Sequence, residues 1–578
     1  MKTLDPTAED RRHPDPEDLA PLEDLLGDPN DQDNPVGFAA LLRADDRGTP
    51  LPAAERLLET HGLGAELVPV ELGGRLDRAD RLAVLLRPLF RRDAGLAVAH
   101  GAGSPAGALA VWSAGSPEQR ARAAAVLLNG GRIAAPGPAD ATVLAAPDGT
   151  EVVLNGRQAM VSNLARAELA VLPVRHGDRA ATLLLDLDAV PRDGLRFLPR
   201  HRTVGLRTAY LDGVDFRDGR VPAGALLAGP AGAGPAARVA AAVLAGATVG
   251  TLDQQLRTVT GFATGRRLYQ RTVSDLPHAR AALTGAYLDL LTIDALAGAV
   301  CRSLHLLPDR SGGYTAAART LLPRLTQEAA GALTVLLGAR SFLREGPHGI
   351  FQKHLRDLSA LRLLHGGDGD NGGGHGGGAG PVVPPPPDLG VDPVAGLFDP
   401  DGVLPGLDYG RLAGIGIGTG TGDRARRSDR ADPLLAVLPA AAAALRTEPV
   451  LGPLCAQLAD ELRDLVRDLA EAPPGGDTPA AAALAERHAI LLAAAACLGT
   501  WQHHTSTTST TRAASGAGTG TSFLGEPDWL TGALARLTAR LGCSPVPGAE
   551  AGHARVFAEL THRQETGRAF DLTGRRLA

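Results

Sequence analysis

Lysine is almost missing from this 578-residue chain: of 58 lysines and arginines, only Lys2 and Lys353 are lysine. No glycine-rich loop ends in Gly-Lys-Ser or Gly-Lys-Thr, which excludes a P-loop nucleotide site. Surplus positive charge is missing too. The formal net charge is −6, so the basic footprint that nucleic acid or an anionic membrane surface needs is absent. Cysteine is scarce: Cys301, Cys455, Cys497 and Cys543 lie far apart with no C-x-x-C pair. That is neither a zinc pattern nor a disulfide framework, and it fits a reducing cytoplasm. The richest apolar stretch, AAVLAGATVG, is broken by Gly and Thr, and the opening MKTLDPTAEDRRHPDPEDLAPLEDLL has no apolar signal-sequence core. No G-x-S-x-G nucleophile elbow occurs. These absences predict a cytoplasmic protein with no nucleic-acid partner and no membrane partner.

What is present is 44% hydrophobic and 21% charged residues, ordinary for a chain that buries a real core. Residues 1–131 read as an N-terminal helical domain, with apolar residues three and four apart in AAERLLETHGL and DRADRLAVLLRPLFRR. Ser116-Pro117-Glu118 supplies a helix start. Over 132–232 the period changes to that of a middle β domain. Two strands flank a Pro-Asp-Gly turn, and AELAVLPVR, AATLLLDLD and LDGVDF follow as further strands. Ala/Leu-rich helical patterns return over 233–365 as a helical bundle domain. Residues 366–388 are a Gly/Pro-rich linker, because Gly raises the ordering entropy and the proline run favours an extended chain. Residues 389–578 read as a C-terminal helical extension, interrupted by HHTSTTSTTRAASGAGTGTS as a loop. The GIGIGTGTG run at 414–422 lacks the third glycine of G-x-G-x-x-G and reads as a loop. His503-His504 has no neighbouring carboxylate or Cys ligand, so no metal is expected there.

In this order the residues resemble the acyl-CoA dehydrogenase family. Val68-Pro69-Val70-Glu71-Leu72-Gly73-Gly74 resembles the family's VPxxxGG loop, and Gly115-Ser116-Pro117-Glu118-Gln119 with Leu128-Asn129-Gly130-Gly131 its GSxEQ…LxxG passage. Leu154-Asn155-Gly156 and Val161-Ser162-Asn163 resemble its LNGxKxWITN strand pair. Gly205-Leu206-Arg207, Val214-Asp215-Phe216 and Arg220-Val221-Pro222 resemble its GLR…VxFxxVxVP stretch. Phe351-Gln352-Lys353-His354-Leu355-Arg356-Asp357 resembles the LxRD segment that leads to the catalytic carboxylate. The matches run collinearly over roughly residues 20–365.

The resemblance implies a mainly α fold with an inserted β domain: N-terminal helical domain, small β-barrel-like domain and C-terminal helical bundle, here with an extra C-terminal helical region. It implies FAD between the β domain and the bundle, partly completed by a neighbouring subunit. The substrate would be an acyl thioester on CoA or an acyl carrier protein, and the assembly a homodimer or homotetramer. The family's catalytic glutamate stands nine positions after the Arg of the RD segment; here that position is His365. An imidazole titrates near neutrality and can act as a general base, while a histidine before Gly366 also reads as a helix C-terminal residue. Asp368 and Asp370 lie in the Gly-rich stretch beyond. Met160 stands where the family has the Trp that flanks the flavin, and Ser162 keeps a hydroxyl where the family has Thr or Ser. Arg266 aligns with a pyrophosphate arginine, and Gly338 with the QxxGGxG turn, whose Gln is Val335 here. The TEPxAGSD loop is replaced by Ala134-Ala135-Pro136-Gly137-Pro138-Ala139-Asp140. Three readings stay open: an FAD-dependent oxidoreductase of secondary metabolism; the same fold turned to another flavin or a non-redox reaction; and a subunit that completes the flavin site of a homologous flavoprotein partner.

Overall fold

The computed structural model describes residues 22–136, 143–177, 179–228, 234–364, 392–413, 432–472, 478–515 and 523–578. The chain opens with α1 (Leu22–Leu26), α2 (Phe38–Arg47), α3 (Pro52–His61), α4 (Ala79–Arg92), α5 (Ala94–Ala97), α6 (Gly103–Ala114) and α7 (Pro117–Leu128). The start of α7 is set by local chemistry. Ser116 Oγ accepts from the Gln119 N–H at 3.2 Å while the Gln119 side chain accepts from the Ser116 N–H at 2.8 Å, closing a reciprocal cap. Pro117 takes the first helical position, where its missing N–H is no loss.

The strands are β1 (Ile133–Pro136), β2 (Val143–Asp148), β3 (Glu151–Ser162), β4 (Leu169–His176), β5 (Arg179–Asp186), β6 (Leu195–Leu198) and β7 (Leu211–Pro222). Across the sheet the order is β5, β4, then β1 and β2 end to end in one strand position, then β3, β7 and β6. Only the pairings of β1 and β2 with β4 are parallel. This sheet closes a small core of its own, which includes Val143, Leu154, Leu172, Leu185 and Phe216.

The chain then enters four long helices: α8 (Pro235–Gly265), α9 (Pro277–Leu306), α10 (Pro308–Leu337) and α11 (Gly349–Leu364), with a two-strand hairpin, β8 (Arg267–Leu268) and β9 (Arg271–Thr272), between the first two. The C-terminal region adds α12 (Pro393–Gly396), α13 (Tyr409–Ala413), α14 (Val437–Ala444), α15 (Leu451–Glu471), α16 (Pro479–Ser515), α17 (Pro527–Arg540) and α18 (His553–Glu565). Helices α16, α17 and α18 pack on α9, and α16 also packs on α10. One continuous apolar core therefore runs from Leu22 to Phe570 through all the helical parts. The mainly α fold with an inserted β domain, expected from the sequence, is what the chain adopts.

Two expectations need correction. The Ser/Thr tract read as a loop from His503 onward is helical as far as Ser515. Its hydroxyls fold back on the helix, Thr505 donating to the Trp501 carbonyl and Thr507 to that of His503, each at 2.8 Å, so the tract satisfies its own polar groups. Apolar runs are also longer than the sequence reading allowed. α8, α9 and residues 479–507 of α16 are each long and apolar enough to cross a membrane by length and composition. In this structure 72%, 94% and 56% of their most apolar windows are buried against the other helices. A helix apolar on every side needs such cover. The linker at 366–388 and the glycine-rich run at 414–422 lie outside the described residues.

Candidate functional site

The end of β3 meets the N-terminal helical domain. Pairing of β3 with β7 slips between Gln158 and Val161, an irregularity of the kind that re-aims side chains beside functional sites. Met160 consequently points outward, 45% exposed, whereas Ser162 two residues on is 6% exposed. Three buried polar atoms here have no hydrogen-bond partner among the described residues: Gln158 Oε1, Ser162 Oγ and Asn163 Oδ1. Buried polar groups are normally satisfied, so an orphaned set within six residues marks a surface shaped for something further.

The neighbouring backbone is fixed firmly. Asn163 sits in the left-handed region at φ 60°. Its N–H donates to the Tyr210 carbonyl at 2.7 Å and its Nδ2 to the Ala99 carbonyl at 2.5 Å. The Asp212 carboxylate accepts from the Leu164 and Ala165 N–H groups at 3.1 and 2.8 Å. Ala99 belongs to a single wide helical turn, Val98–Ala102, between α5 and α6, a geometry that recurs at functional sites. His100 Nε2 in that turn lies 3.2 Å from Glu55, which also takes both prongs of Arg166 at 2.8 Å. Burial works against the Glu55 carboxylate, but the hydrogen bonds and charges of His100 and Arg166 prevail and hold its pKa at about 2. The Tyr210 ring lies between the guanidinium groups of Arg166 and Arg200, 5.5 and 5.2 Å from its centre.

The GLR and RD motifs form a single clamp. Asp357 Oδ1 accepts from the Leu206 N–H at 2.6 Å, and Arg356 donates to the Val204 carbonyl at 2.7 Å and to Asp45 at 2.6 Å. A Cβ at Gly205 would stand 2.3 Å from the Arg356 carbonyl oxygen, so only glycine lets the loop reach α11. Beneath it Lys353 Nζ lies 2.5 Å from both Asp93 and Asp357, all three fully buried. Desolvation disfavours the charged lysine, yet the two carboxylates outweigh it and raise its pKa above the ordinary value. Thr208 Oγ1 and the Gly95 N–H both donate to Asp93 at 2.7 Å. Sequence reasoning missed Lys353, Asp93, Glu55, His100 and Arg166. One signal was available: Lys353 is the one lysine in the body of a chain that otherwise uses arginine.

Met160 and Ser162 lie on β3, while Arg266 and Gly338 stand at the ends of α8 and α10. Arg266 follows α8, exposed, with no side-chain hydrogen bond or ion pair among the described residues. Gly338 ends α10 at φ 60°. These two ends meet through Phe262, whose ring takes the Arg340 guanidinium at 5.1 Å and the His348 ring edge at 5.6 Å. His365, Asp368 and Asp370 lie outside the described residues, as do residues 137–142 of the segment that replaces the TEPxAGSD loop.

No protein-family model and no curated protein sequence matches the chain. Solved structures do. Butyryl-CoA dehydrogenase from Megasphaera elsdenii aligns with 57% of this chain and 90% of its own, at 15% identity and a TM-score of 0.51. Glutaryl-CoA dehydrogenase from Mycobacterium smegmatis, in complex with FADH2, aligns with 57% of this chain and 86% of its own, at 17% identity and 0.51. The flavoprotein nitroalkane oxidase aligns with 55% of this chain and 83% of its own, at 18% identity and 0.50. Such identities speak for the fold and leave the reaction to be argued from the site. The helical domain, inserted sheet and helical bundle of this chain have the acyl-CoA dehydrogenase fold, which a C-terminal set of helices extends.

Proposed function

We propose that the protein is an FAD-dependent oxidoreductase acting on an acyl thioester, carried by CoA or by a carrier protein, in the secondary metabolism of the cytoplasm. The observation that carries this reading is the orphaned polar set on β3 beside an exposed Met160. A flat heteroaromatic ring with polar edges fits that combination: Met160 would lie on its face, and Ser162 Oγ would donate to its rim. The amide oxygens of Gln158 and Asn163 would accept further hydrogen bonds from it, the Asn163 Nδ2 being already given to the Ala99 carbonyl. When bound, FAD supplies a two-electron acceptor for a hydride leaving the substrate.

The chain's own residues do the remaining work. The Lys353–Asp93–Asp357 clamp fixes α11, and His365, the proposed general base, follows Asp357 by eight positions. A base needs such rigid support, because a misplaced group loses most of its orientation advantage. Arg266, exposed at the end of α8, and Gly338 at the end of α10 favour a second element of the proposal. They would serve the cofactor held by a second copy of the chain, beside the exposed Tyr269 and Phe342 that such a copy would cover.

The test is the visible absorption spectrum of the purified protein before and after excess FAD. The expected result is a protein-bound flavin spectrum near one FAD per chain, with FAD affinity about tenfold weaker in Ser162→Ala, the change that loss of one hydrogen bond brings. A colourless protein that stays empty after FAD addition refutes the proposal.

A further inference from the structure

A cavity of about 580 Å3 opens between the N-terminal helices and residues 406–410 of the C-terminal region, and none of its walls belongs to the site on β3. Its size is that of a small-molecule pocket. Glu71, Trp112, Arg120, Leu407 and Tyr409 are among the residues that line it. The Tyr409 hydroxyl and Arg120 Nε are buried and have no hydrogen-bond partner among the described residues. Glu71 and Arg120 both act electrostatically on the Tyr409 phenol, which burial pushes above the ordinary tyrosine range. A cation, the two carboxylates of Glu71 and Asp408 and a hydroxyl thus line one cavity, yet among the described residues no hydrogen bond or ion pair joins any two of these side chains. Trp112 is held as an apolar wall, because its indole N–H is already donated to the Leu67 carbonyl at 2.9 Å.

The lining selects a ligand by charge. A phosphate dianion would meet one guanidinium and two repelling carboxylates, Glu71 and Asp408. A pure hydrocarbon would leave buried polar groups unpaired, which is costly. We infer that this cavity binds a small zwitterionic amino carboxylate of the amino-acid type. Its carboxylate lies on Arg120 and the Tyr409 hydroxyl, its ammonium on Glu71, and its apolar side chain against Trp112 and Leu407. This assignment is independent of the flavin reading.

Calorimetric titration of the full-length protein tests it with three probes: L-leucine, 4-methylpentanoate, which lacks the amine, and 3-methylbutylamine, which lacks the carboxylate. L-Leucine is expected to bind saturably with Kd of about 1 mM or tighter, and each truncated probe about tenfold more weakly. Arg120→Gln and the conservative Tyr409→Phe are each expected to weaken L-leucine about tenfold, with FAD binding unchanged. Absence of saturable L-leucine binding overturns the assignment. So does equal binding of 4-methylpentanoate, or full affinity in folded Arg120→Gln.

Discussion

At the scale of single residues, charge burial governs the neighbourhood of β3. Glu55 shows the consequence most simply. Its pKa is about 2 in the folded protein against 4.5 for the free side chain, so its paired carboxylate adds stability that is fully present above about pH 4.5 and fades as pH falls through 2. Replacing it removes that term. Glu55→Gln is expected to be less stable than the parent by about 1–3 kcal/mol at neutral pH, with the gap narrowing below pH 4.5. Urea unfolding at pH 7 and at about pH 3 measures both, and a gap equally wide at the lower pH would show that His100 and Arg166 do not hold this proton off. Residues of this kind were not legible in the sequence. Lys353 and Asp93 are 260 positions apart, and nothing local in either segment announces the other. The strand that carries Met160 and Ser162 was legible, because strand motifs keep their order whatever the distant partners are.

At the scale of elements, the C-terminal tail is the least expected piece. After α18 the chain turns back, and Asp571 enters a fully buried site where it accepts from Arg87 and Arg91, each at 3.0 Å. Asp253 and Asp294 join from α8 and α9. Burial disfavours the Asp571 carboxylate, but the two arginines outweigh that and keep it ionised far below the usual range. Phe570 beside it meets the Tyr287 ring edge-on at 6.0 Å and takes the Arg257 guanidinium at 4.2 Å. Removing one member of such a network strands buried charge. Asp571→Ala is therefore expected to lower stability by about 3–5 kcal/mol, and Asp571→Asn by less, both read from urea unfolding midpoints; parent-like stability in the alanine variant would make the tail a passenger. The long helices were readable because α8, α9 and α10 repeat apolar residues every three or four positions over some thirty residues each. Helix α18 was not, since it buries only Val556, Leu560 and Arg563 and its sequence reads like a solvated surface. The tail escaped for the same reason: an Asp between Phe and Leu resembles a turn until its arginines are seen.

At the scale of the whole molecule, the C-terminal region is an integral part of the helical core and not an appendage. Helix α9 is enclosed by α8, α10, α16, α17 and α18, and its most apolar window is 94% buried. A chain ended after residue 391 would bare the faces of α9 and α10 that α16–α18 cover, a patch larger than soluble monomers ordinarily tolerate. Such a chain is expected to be insoluble or to aggregate, whereas the full chain stays in the supernatant; sedimentation and size-exclusion chromatography decide. Recovery of a soluble, monodisperse shortened chain would mean that the first bundle stands alone. The same arrangement explains how three helices with membrane-like composition coexist in one chain: each is the lining of another's core.

The tail has a further consequence for synthesis. Arg91 leaves the ribosome 480 residues before Asp571, the last of the three carboxylates that pair with it. At ordinary translation rates that interval is on the order of half a minute or more. Over that interval Arg91 already has Glu23, made before it, as a partner. Asp253 follows Arg91 by 162 positions and Asp294 follows Arg87 by 207, so the buried network assembles in the order of synthesis and Asp571 is the member that closes it.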